Sequence, residues 1–196
     1  MTSGLTEYAF CMSKEHKPTS KLVEESLRLA GGVRDPKVKK IVANRYEKAL
    51  SLLPEEAVAL FLLHKRELRV IVMPDPRLPV GMSTRTDGPP SGRRYTIFLY
   101  EEHTRWPEDH FLGALLRELG HVVAKRPPEA EWPEARGERA RFKEMLECRA
   151  DAMVWRWGLK HYNMSYLVAT FPQHWVERIV KQIGKFFLNE KWEEYN

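Results

Sequence analysis

Five residues of this chain could do chemistry together, and they fall in two short runs, "RELGH" (Arg117–His121) and "ECRAD" (Glu147–Asp151). Imidazoles and carboxylates at helical spacing are the tools of a metal-dependent hydrolase. A catalytic zinc takes three protein ligands and keeps a fourth position for water. Two histidines at i and i+4 point from one helical face and grip the ion together, and the glutamate after the first can take the proton of the bound water. Here Glu118 and His121 stand at the right spacing, but the position four before His121 is Arg117. Arginine stays protonated and only donates, so it cannot coordinate a metal.

The second run has its own geometry. Glu147 and Asp151 lie four apart and share a helical face with Ala150 and Val154. Ala150 is small enough to let that helix approach another closely. Glu147 follows His121 by 26 residues, room for a helix end, a loop and a return.

Taken together, the two runs resemble the gluzincin arrangement, H-E-x-x-H followed by E-x-x-A-D, of bacterial, phage-encoded and stress-related metallopeptidases. The resemblance covers about residues 67–158. It implies a zincin-like fold with zinc as cofactor. His121 would be a metal ligand and Glu147 the carboxylate ligand. Glu118 would be the general base, and Asp151 would orient the ligands from behind or substitute for one. It also implies that the strand "YTIFLYEE" (Tyr95–Glu102) runs where a peptide substrate lies. The departure is Arg117, which removes one ligand in three. Its fixed charge sits where the ion should be and repels it. The same guanidinium can satisfy Glu118, Glu147 or Asp151 by bidentate hydrogen bonds, neutralising carboxylates that would otherwise be buried unpaired.

The elements that must position these residues can be read from spacing and punctuation. Lys21–Leu29 reads as a short helix stopped by Gly31-Gly32. Asp35-Pro36 caps a second helix running to about Leu53. Pro54-Glu55-Glu56 opens a third, sending Ala57, Leu60, Phe61 and Leu63 to the core. "ELRVIVMPD" (Glu67–Asp75) reads as a buried strand, and the Pro-, Gly- and Arg-rich stretch after it as a long loop or hairpin. The strand Tyr95–Glu102 is apolar on both faces and so reads as central or covered on both sides. Pro107-Glu108-Asp109 starts the helix bearing Arg117–His121, which ends before Pro127-Pro128, and a further helix runs from Gly137 to Trp157. A last amphipathic helix occupies "HWVERIVKQIGKFFLNEKW". The expected architecture is one α+β domain over 1–196. It divides into an N-terminal helical segment at 1–66, a motif-bearing core at 67–158 and a C-terminal helical segment at 159–196.

Composition sets outer limits. The chain has 196 residues, 43% hydrophobic and 30% charged, enough for one well-cored domain. Net charge is +5, spread along the chain. Cys11 and Cys148 make no disulfide framework, and no basic region followed by an apolar run opens the chain, so a cytoplasmic setting is expected. The longest apolar run, Ala57–Leu63, is too short for a bilayer, so no membrane partner is expected. Other candidate groups read as structural. His110 stands about 16 Å along the helix from His121, too far to replace a ligand. His103 and His161 read as satisfied or surface histidines. Cys148 reads as a packed thiol, and Trp155, Trp157, Trp175 and Trp192 as packing residues.

Three functions compete at this point. The first is a zincin-like protein with a degenerate centre, kept for binding a peptide or protein, with no tightly bound zinc. The second is a working metal-dependent peptidase on His121, Glu147 and Asp151, which requires Arg117 to swing outward. The third is a nucleic-acid-associated accessory protein. It rests on the basic balance and on Arg85, Arg93 and Arg94 of the loop Met82–Arg94, a stretch that otherwise reads as a solvated hairpin tip.

Overall fold

The computed structural model describes residues 18–33, 35–63, 67–75, 81–89 and 92–188. Cys11, Trp192 and the side chain of Leu63 lie outside the described residues. In chain order the elements are α1 (Pro18–Ser26), β1 (Leu27–Leu29), α2 (Pro36–Leu52), α3 (Glu55–Leu63), β2 (Leu68–Met73), β3 (Ser83–Asp87), β4 (Arg94–Tyr100), α4 (Glu108–Val123), α5 (Arg136–Arg156), α6 (Lys160–Thr170) and α7 (Gln173–Leu188). This is an α+β chain with a small mixed sheet.

Local chemistry explains most boundaries. Asp35 caps α2 by accepting a hydrogen bond from the Lys37 amide at 2.8 Å, with Pro36 preset for the first turn. Glu108 and Asp109 open α4 at its positive end. The last turn of α4 closes as a Schellman motif: the Arg126 amide donates to the His121 carbonyl at 3.0 Å and the Lys125 amide to that of Val122 at 3.1 Å. Lys125 takes the left-handed position with φ 52°, which glycine usually fills.

The sheet runs β1-β2-β4-β3, with β1, β2 and β4 parallel and β3 antiparallel to β4. Two of these strands depart from expectation. Lys21–Leu29 is not one helix: it ends at Ser26, and Leu27–Leu29 pairs with β2 from Val70 to Val72. Five residues of the expected hairpin tip Met82–Arg94 form strand β3, whose Thr84 and Thr86 are buried against the helical layer. Strand β4 is central, as its sequence predicts, but therefore lies inside the sheet rather than at its edge. Leu27–Leu29 thus join the described N-terminal helices to the sheet, and the buried residues of that part share one continuous core with those of α4 and α6.

The helices pack on one face, where Leu68, Val70, Val72, Tyr95, Ile97 and Leu99 are buried. The opposite face carries no fully buried residue among those described. Leu60, expected in the core, is 44% exposed, and so is Trp175 at 46%. Residues 159–188 form two helices rather than one, and α6 was not legible as a separate element.

Close helix approach is set by two glycines of α4. A Cβ on Gly113 would stand 2.0 Å from the Tyr162 carbonyl oxygen of α6, and one on Gly120 would stand 2.6 Å from that of Ala150 in α5. Both obstacles are backbone, so the helices would have to move apart. We expect Gly113→Ala and Gly120→Ala each to destabilise the protein by about 1–3 kcal/mol or more, read as a lower urea midpoint with unchanged m-value.

Candidate functional site

Helices α4 and α5 cross where Gly120 meets Ala150, and this contact brings the two sequence runs together. Arg117 and His121 look out from one face of α4 toward Glu147 and Asp151 of α5. The Arg117 guanidinium bridges both carboxylates: Nε donates to Asp151 Oδ1 at 2.8 Å, and Nη2 forms an ion pair with Glu147 Oε2 at 2.8 Å. His121 Nε2 lies 3.1 Å from the same Glu147 oxygen, donating in the tautomer protonated there. All five predicted residues therefore gather around one crossing, four of them in direct contact.

Glu118 is the exception in its partners. Its carboxylate turns to the sheet, where Thr84 Oγ1 of β3 donates to Oε2 at 2.7 Å. Arg117 thus engages two of its three expected carboxylates and leaves Glu118 to the edge strand. Burial is the largest influence on Glu118 and raises its pKa above the usual glutamate range, against the pull of His121 and Arg117.

Four further residues complete the cluster. Arg126 folds back from the Schellman turn and donates to Glu147 Oε1 at 3.0 Å, with Nη1 3.3 Å from His121 Nε2. Its guanidinium lies 5.1 Å from the ring centre of buried Trp132, which holds the turn by donating to the Pro127 carbonyl. From α6, Asn163 Nδ2 donates to Asp151 Oδ1 at 2.8 Å while its own oxygen accepts from Trp155 Nε1. The Tyr166 ring lies 5.7 Å from the Arg117 guanidinium carbon. Sequence reading missed Thr84, Arg126, Asn163 and Tyr166. Only Arg126 left a signal, a basic residue just past a helix end before Pro127-Pro128.

Electrostatics follow from this packing. Burial alone would raise the Glu147 pKa, but Arg117, His121 and Arg126 outweigh it and hold the carboxyl well below the usual carboxylate range. Burial works against the Arg117 charge, and Asp151 and Glu147 more than offset it, so its pKa rises well above the ordinary value. Asp151 is fully buried, and its Oδ2 has no hydrogen-bond partner among the described residues.

A divalent ion does not fit this donor set. It would have to coordinate His121 and Glu147, while two guanidinium groups already bond to Glu147 and neither can leave as a neutral base. Among the described residues no three His, Cys, Asp or Glu side chains are grouped to hold a metal ion.

The remaining candidates lie elsewhere. His103 is buried, and its Nδ1 accepts from the Tyr100 amide at 3.1 Å. His110 is half-buried between the rings of Trp106 and Tyr166, and His161 is exposed against Tyr162. Cys148 is packed, donates to Gln182 Oε1 and is pushed up to about 12 chiefly by burial. No helix among the described residues is long and apolar enough to cross a membrane. No family model, no curated protein and no solved structure matches this chain.

Removing the central cation should strand two buried carboxylates. We expect Arg117→Met to cost about 3–5 kcal/mol at pH 7. The folded pKa of Glu147 is depressed, so its stabilisation is full above the ordinary glutamate value and is lost as pH falls below it. The gap between wild type and variant should therefore narrow on acidification, measured by urea denaturation at pH 7 and pH 4.

Proposed function

We propose that this chain is a zincin-like protein whose metal centre has been exchanged for a buried ion cluster, and that it binds a peptide or protein segment without cleaving it. The observation that carries the reading is the Arg117 guanidinium bridging Glu147 and Asp151 at 2.8 Å each, beside the direct contact of His121 with Glu147. The crossing of an R-E-x-x-H helix with an E-x-x-A-D helix supports the zincin-like framework. A working peptidase would need Arg117 to swing outward, yet Arg117 is 7% exposed and tied at both ends of its guanidinium.

The segment would pair with β3, not with the strand Tyr95–Glu102, which is interior. Among the described strands β3 is the sheet edge beside the cluster, and one side of an edge strand keeps its backbone donors and acceptors open for an added strand. Thr84 links that edge to Glu118.

The test is metal content and cleavage together. Protein purified without chelators should carry well under one zinc per chain and leave casein intact. Stoichiometric zinc with cleavage abolished by chelator and by Glu118→Gln would overturn the reading. Arg117→His alone should gain little metal, because Arg126 still faces His121 and Glu147. Arg117→His combined with Arg126→Leu should bind zinc at least about tenfold more tightly than the single variant, by titration calorimetry.

A further inference from the structure

The open face of the sheet carries a pattern independent of the ion cluster. Register places Arg69 of β2, Thr96 of β4 and Arg85 of β3 in one row across the sheet, and Arg28, Ile71, Phe98 and Ser83 in the next. Met73 and Tyr100 form a third row, and Arg94 with Asp87 the row at the opposite end. The two arginines flanking Thr96 are two strand spacings, about 10 Å, apart. Phe98 and Tyr100 stand on the same face of the central strand, about 7 Å apart; both are partly buried, and the Tyr100 ring meets His103 edge-on at 5.6 Å.

Arginine outnumbers carboxylate on this face, where Asp87 and Glu67 flank Arg94. Arg28, Arg69, Arg85 and Arg94 are all exposed. Arg28 donates to the backbone carbonyls of Glu24 and Leu27. Among the described residues no ion pair ties Arg28, Arg69 or Arg94 to a carboxylate. Asp87 pairs with Arg85 at 3.1 Å, but both are largely exposed, and such a pair is worth little. Arg93, by contrast, is engaged elsewhere, bonded to Glu131 and to the Lys125 carbonyl. The arginine loop therefore splits: Arg93 belongs to the fold, and Arg85 and Arg94 to the sheet face.

We propose that this sheet face binds single-stranded nucleic acid. Arginines around the rim meet phosphates, and Phe98 and Tyr100 on the central strand offer stacking surfaces to successive bases. A second copy of the chain is a poor occupant, because face-to-face packing would oppose two arginine sets of the same sign. An acidic polypeptide would answer the charge but leave the paired rings without planar partners. The net charge of +5 favours approach of a polyanion.

The experiment is fluorescence anisotropy of the full chain with labelled oligothymidine and oligouridine of about 16 nucleotides, a matched duplex, and polyglutamate as competitor. Single strands should bind at low salt, ahead of the duplex, with affinity falling steeply as salt rises. Arg69→Ala/Arg85→Ala/Arg94→Ala, all exposed positions, should flatten the slope of log K against log salt by about 2. Tyr100→Ala and Phe98→Ala should each weaken binding about tenfold, with thermal melts confirming the fold. Arg117→Met should bind normally where it remains folded. Absence of binding at low salt, equal competition by polyglutamate, or unchanged affinity in the triple variant would each overturn the proposal.

Discussion

Two carboxylates drawn out of water at a helix crossing are the constraint around which this protein is arranged. Glu147 and Asp151 sit on α5 facing α4, one mostly and one wholly buried. A buried carboxylate without a partner is expensive, and the cost is met by hydrogen-bonded cations. Arg117 meets both, its Nε donating to Asp151 and its Nη2 pairing with Glu147. Arg126 meets the second oxygen of Glu147. The balance is local: two guanidinium groups against two carboxylates, with His121 and Glu118 at the margins.

Much of the rest follows from holding that balance in place. Glycines at 113 and 120 let α6 and α5 close on α4 until backbones touch. The first approach brings Asn163 and Tyr166 to Asp151 and Arg117, and the second sets Glu147 against His121. The Schellman turn with Lys125 in the left-handed position reverses the chain so that Arg126 points back over the helix it has just left. Trp132 then fixes that turn from outside.

The sheet gives the molecule two unlike faces. Parallel β1, β2 and β4 feed one side into the helical core, and antiparallel β3 closes the edge nearest α4. On the other side no described helix packs, and the alternation of each strand exposes arginines there with half-buried aromatics between them. Strand β3 joins the three regions, with Thr84 bonded to Glu118 of the cluster and Arg85 on the open face.

Some of this was legible in the residues alone. The Asp35-Pro36 cap, the strands at 68–73 and 94–100 and the helices bearing "RELGH" and "ECRAD" follow from local propensity, capping and helical period, which act over a few neighbours. The meeting of Arg117 with Glu147 was expected from the resemblance of the two runs to the H-E-x-x-H and E-x-x-A-D pattern, with helical period putting each residue on a face. Strand β1, only three residues long, was not: nothing in "LRL" marks a strand until β2 lies beside it. Strand β3 was hidden among turn-forming residues, and its alternation acquires meaning only against α4. Arg126, Thr84, Asn163 and Tyr166 come from separate stretches of chain, and no spacing rule links them to Glu147. Side-chain period and charge are written in the chain; which charges share a pocket is decided by helix approach, a distance between residues far apart in sequence.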